Sequence, residues 1–90
     1  MAGKFNDKVV IVTGGSRGLG RAMSLGFAAE GARVVVASRK IESCENVVRH
    51  IEGLGGEALA RATHMGNLSD IDDLIEAAYA RFGRVDILVN

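Results

Sequence analysis

Three times along the 90 residues an apolar run is followed by a stretch of helical period, and a fourth apolar run closes the chain. The runs are Lys8 to Thr13, Arg33 to Ser38, Glu57 to Thr63 and Val85 to Val89. Val9-Val10-Ile11-Val12 is apolar at every position, so that strand must be covered on both faces. Val34, Val35 and Val36 supply a β-branched core to the second strand. Strand–helix alternation of this kind specifies a parallel α/β sheet, and three right-handed crossovers would place the strands in the order 3-2-1-4.

The helical stretches carry their own boundaries. The first is predicted from Gly18 to Glu30, with Ala22, Phe27 and Ala28 toward the sheet and Gly31 just past its end. In the second, Ile41 to Glu52, the residues Ile41, Cys44, Val47, Val48 and Ile51 repeat at the helical period, and Gly53, Gly55 and Gly56 terminate it. Ser69 with Asp72 has the spacing of a capping box for the third helix. Its apolar stripe is Ile71, Leu74, Ile75, Ala78 and Phe82, closed by Gly83. Tyr79 is expected to pack beside that stripe.

Between the first strand and the first helix lies Thr13-Gly14-Gly15-Ser16-Arg17-Gly18-Leu19-Gly20. Glycines let a backbone approach a pyrophosphate without an intervening Cβ, and the free N–H groups at the start of the next helix point at an anion. Gly14, Ser16, Arg17, Gly18, Leu19 and Gly20 are therefore candidate phosphate-binding residues. The spacing fits neither G-x-G-x-x-G nor the P-loop, since Arg21 and Ala22 stand where a P-loop has Lys and Ser or Thr. What remains is Thr-Gly-x-x-x-Gly-x-Gly. That pattern resembles the short-chain dehydrogenase/reductase family, whose members bind NAD or NADP on a doubly wound sheet of Rossmann type. The resemblance runs from about Lys8 to Asn90.

The choice of dinucleotide falls after the second strand. An NAD site usually places Asp or Glu there to bond the ribose hydroxyls. Here the segment is Ala37-Ser38-Arg39-Lys40, with no carboxylate between Gly31 and Ile41. Arg39 can hold a 2′-phosphate through its planar fork, and Ser38 puts a small hydroxyl where a carboxylate would repel it. The resemblance adds Arg17, at the position where NADP-preferring members carry a second basic residue. NADP is expected over NAD, and Lys40 reads as a solvated charge. After the third strand the family usually has Asp-Val against the adenine, whereas this chain has His64 and Met65. Histidine can meet or stack on a base, and Met65 offers its backbone N–H. Asn90 matches the first asparagine of the family's Asn-Asn-Ala-Gly turn, which the resemblance implies braces the sheet near the ribose.

Composition limits the alternatives. Lys plus Arg and Asp plus Glu each number 11. That balance gives no electrostatic reason to expect nucleic acid or a membrane surface as a partner. No apolar run approaches the ~20 residues of a membrane span, and Met1 to Asp7 is too polar for a secretory signal. Cys44 is the single cysteine, so no disulfide framework or cysteine metal cluster is expected, and neither is a histidine metal site. The expected location is the cytoplasm.

The family's chemistry uses a serine and a Tyr-x-x-x-Lys pair, and no catalytic residue can be assigned here: Gly83 follows the single tyrosine, Tyr79, by four. The expectation is that residues 1–90 form the N-terminal part of one dinucleotide-binding domain, truncated after strand four. The implied parent is an NADP(H)-dependent oxidoreductase acting on a carbonyl or alcohol substrate, as a homo-oligomer. The alternative is an NADP-binding module without turnover. Cut there, strand four would present a bare edge and one sheet face would be under-covered.

Overall fold

The computed structural model describes residues 3–90. Its elements run β1 (Val9–Thr13), α1 (Gly18–Ala29), β2 (Arg33–Ser38), α2 (Ile41–Gly53), β3 (Ala58–Ala62), α3 (Leu68–Phe82) and β4 (Ile87–Val89). All pairings are parallel and the order is β3-β2-β1-β4, the expected 3-2-1-4. This is a partial Rossmann-type α/β sheet. In the central register Ile11 lies between Val35 and Leu88.

Alternate residues of the two central strands feed opposite cores, as a pleat requires. Val10, Val12, Val34 and Val36 pack with Cys44, Val47 and Ile51 of α2, joined by the half-buried Leu25, Phe27 and Ala28 of α1. Val9, Ile11, Val35 and Ala37 pack against Leu74 and Ala78 of α3. Two helices therefore cover one face and one covers the other. On the edge strand β4, Leu88 remains 53% exposed.

Four local expectations are corrected. Ala22 is exposed, and the residue of α1 that is fully buried is Ser24, whose hydroxyl donates to the carbonyls of Gly15 and Gly20. A serine can occupy that helix–turn contact because the turn supplies its acceptors. The cap of α3 is Asn67, whose Oδ1 accepts the Asp70 N–H at 3.2 Å; Ser69 lies inside the helix. Asparagine two positions earlier competes successfully because its carbonyl reaches the third N–H directly. Tyr79 is 51% exposed rather than packed, since Leu74 and Ala78 already fill the contact with the sheet. The pairing of β4 begins at Ile87, because Asp86 turns its side chain back to accept the Val9 N–H at 2.9 Å.

Candidate dinucleotide cleft

The C-terminal ends of β1, β2 and β3 open onto a cleft of about 620 Å³. Three chain segments line it: Gly14, Ser16 and Arg17; Ala37 to Lys40 with Ser43; and Thr63 to Gly66. A parallel sheet places all its strand ends, and the starts of the helices that follow, along this one edge.

The glycine-rich turn is shaped by two different needs. Gly14 and Gly18 have φ of +67° and +57°, a region that L side chains rarely adopt. Gly20 is required for space: a Cβ there would run into the Gly14 carbonyl, so the first turn of α1 sits directly against the loop. The loop is tied down by Gly14 N–H, which donates to Ala37 O at 2.8 Å. Arg17 is the N-cap of α1, with no side-chain cap bond and no acid in the first turn of the helix. Its leading N–H groups are left for an anion.

Ser16 and Ser38 join the loop to the end of β2 through a 3.0 Å hydroxyl–hydroxyl bond. Ser38 Oγ also lies 3.0 Å from the buried thiol of Cys44. Lys40 heads α2, again without a side-chain cap. Arg17, Arg39 and Lys40 all line the cleft, and no ion pair engages them among the described residues. No carboxylate lines it either. The third wall is fixed by His64 N–H, which donates to Asp70 Oδ2 at 2.9 Å, and by Gly66 N–H, which donates to His64 Nδ1 at 3.2 Å.

Of the residues singled out from sequence, Gly14, Ser16, Arg17, Ser38, Arg39, His64 and Met65 are brought together in this lining. Gly18, Leu19 and Gly20 stand at the start of α1 outside it, with the Leu19 side chain 77% exposed. Asn90 is also outside the lining; its Oδ1 lies 3.1 Å from Thr13 Oγ1, which reaches Val89 O at the same distance. Sequence reasoning passed over Lys40, Ser43, Thr63 and Gly66. Lys40 looked like any loop lysine, and Ser43 and Thr63 carry no motif. Their placement depends on which segments the sheet sets side by side.

The donor set fits a phosphate-bearing nucleotide: a turn that excludes Cβ atoms, an uncapped helix start, three cations outside any ion pair and the linked hydroxyls of Ser16 and Ser38. No helix among the described residues is long and apolar enough to cross a membrane.

The short chain dehydrogenase family model matches residues 8–90. An uncharacterized oxidoreductase of Listeria monocytogenes is 39% identical over 84 residues, covering 93% of this chain and 34% of the relative. The crystal structure of hydroxysteroid dehydrogenase from Escherichia coli superposes with a TM-score of 0.94 at 35% identity, covering 96% of this chain and 37% of that one. A metagenomic short-chain oxidoreductase in complex with NADP superposes at 0.87 with 36% identity, covering 93% of this chain and 38% of that one. The chain thus spans about a third of the length of the curated relatives it matches.

Proposed function

The chain belongs to the short-chain dehydrogenase family of oxidoreductases, and from that premise we propose that it is the cofactor-binding portion of an NADP(H)-dependent enzyme acting on a carbonyl or alcohol. Residues 1–90 are then the N-terminal part of one dinucleotide-binding domain. The observation that carries the NADP reading is the cleft lining itself, which gathers Arg17, Arg39 and Lys40 with no carboxylate among them.

A bound nicotinamide dinucleotide supplies or takes up the hydride of such a reaction. The residues of this chain do the holding. The turn from Gly14 to Gly20 and the open start of α1 would receive the pyrophosphate, where the helix dipole favours negative charge. Arg39 would take the 2′-phosphate by its fork, with Arg17 and Lys40 adding charge and Ser38 a donor. A 2′-phosphate brings about two negative charges to a place where three cations lack partners, whereas a 2′-hydroxyl relieves none of that repulsion. The proposal places the protein in the cytoplasm.

The test is direct titration of the whole protein that carries this chain with NADPH and with NADH. NADPH should bind tighter by about tenfold or more at low salt, and the gap should narrow as salt screens the phosphate. Equal affinity, or a preference for NADH, would overturn the NADP assignment.

A further inference from the structure

Cys44 is fully buried among Val10, Val12, Val34 and Val36, yet its thiol meets two polar atoms. Ser38 Oγ lies 3.0 Å from Sγ, and Arg61 O lies farther away at 3.7 Å. Ser38 in turn is 3.0 Å from Ser16 Oγ and 3.4 Å from Lys40 O. Ser38 lines the cleft and Cys44 does not. A single hydroxyl therefore joins the cleft wall to a thiol in the core.

That hydroxyl has one proton and two lone pairs. With Ser16 donating to Ser38, the Ser38 proton falls to Cys44 Sγ or to the longer contact with Lys40 O. The thiol proton is then left for Arg61 O. A dianionic 2′-phosphate only accepts, so it claims the Ser38 proton. Rotation about the Cβ–Sγ bond carries the thiol proton from Arg61 O to Ser38 Oγ, and no heavy atom has to shift. Ser38 then accepts from Ser16 and Cys44 while it donates to the phosphate. A 2′-hydroxyl makes no such demand, because it can itself donate to Ser38 and leave the bond to Cys44 in its original direction.

Resting on the NADP reading above, we propose that Cys44 is a positioning residue for cofactor choice. Its thiol holds the Ser38 hydroxyl, and the hydrogen bond between them reverses when a 2′-phosphate binds. Cys44 touches no part of the ligand and acts through Ser38 alone. A thiol suits this place because it donates and accepts weakly, so either direction is within reach in an otherwise apolar core. An apolar side chain at position 44 would leave Ser38 with Ser16 and the long Lys40 contact, and its rotamer less firmly held.

The experiment titrates the whole protein that carries this chain with NADPH and with NADH, for wild type, Cys44→Ala, Ser38→Ala and the double variant. Cys44→Ala should weaken NADPH about fivefold and NADH by under about twofold, with no further loss once Ser38 is alanine. A thiol that served packing alone would lower Tm and move the two dinucleotides together. Raman spectra give a second readout. The S–H stretching band of Cys44, identified by its loss in Cys44→Ala, should shift with NADPH and stay in place with NADH. If Cys44→Ala fails to fold, Cys44→Val, which fills the space without a donor, replaces it in both readouts. Equal weakening or none, additive losses in the double variant, or an S–H band indifferent to NADPH overturns this inference and leaves the NADP preference standing. A wild type that binds the two dinucleotides equally overturns the NADP reading and this one with it.

Discussion

Where the strands begin, Arg33 lies 3.7 Å from both Asp7 and Glu57, and Arg84 lies 2.7 Å from Asp86; where they end, Arg17, Arg39 and Lys40 make no ion pair among the described residues. The helices show the same contrast. At the cleft α1 and α2 start uncapped behind a basic residue, while α3, whose start lies outside the cleft lining, is capped by its own Asn67. At the first of these ends Arg33 and Arg84 meet carboxylates. The other leaves cations and helix N–H groups together, an arrangement whose mutual repulsion an anion relieves. Charge pairing, rather than charge number, distinguishes the proposed binding end of this electrically balanced chain.

The strongest way to break the contrast is at Gly20. Gly20→Ala would drive a Cβ into the Gly14 carbonyl and push α1 away from the turn. The expected outcome is about 3 kcal/mol of lost stability in thermal or denaturant unfolding, with dinucleotide binding abolished in titration. Retained binding would mean that the close approach of α1 is not what forms the anion site.

Arg39→Asp probes the charge of the cleft without its packing, since Arg39 is exposed. It exchanges a charge-assisted bond for repulsion, so the ratio of NADPH to NADH affinity should fall by roughly 30-fold or more, with little change in Tm. An unchanged ratio would remove Arg39 from the 2′-phosphate site.

The smallest effect belongs to the opposite end. Arg84, and then the Val9 N–H, hold the Asp86 carboxyl below the usual carboxylate range. A carboxyl with a lowered folded-state pKa contributes stability above its unfolded value of about 3.9, and that contribution is lost as pH falls further through the folded value. Asp86→Asn should therefore flatten the acid side of the stability profile below about pH 4, leaving dinucleotide affinity near neutral pH unchanged. If the variant's acid limb matches the wild type's, the ionised Asp86 carboxyl and its pairing with Arg84 contribute nothing to stability.

Most of the fold was legible because its signals are local. A β-branched run such as Val34-Val35-Val36 and a helical stripe such as Cys44-Val47-Ile51 each report their burial through spacing over a few residues. Where the reading failed, a neighbour in space had decided. Ser24 is buried because the turn offers it two carbonyls, and Tyr79 is exposed because Leu74 and Ala78 already occupy the sheet. In the cleft, Ser16, Arg17, Ser38 and Arg39 belong to a recognisable pattern, whereas Thr63 and Ser43 belong to none.

The amino-acid sequence by itself determined the alternation of strands and helices, the crossovers and the glycine turn, because periodicity and backbone sterics act within a few residues. Only the tertiary structure decided which polar groups found partners. Ser16 meets Ser38 across 22 positions, and the Val9 N–H meets Asp86 across 77. Arg33 is neutralised while Arg39 is not, although both are arginines on the same strand–helix unit. Hydrogen bonds and ion pairs reach only a few ångströms, so a residue's chemistry is set by whatever the fold brings within that distance, and a linear chain does not carry that information in its spacing.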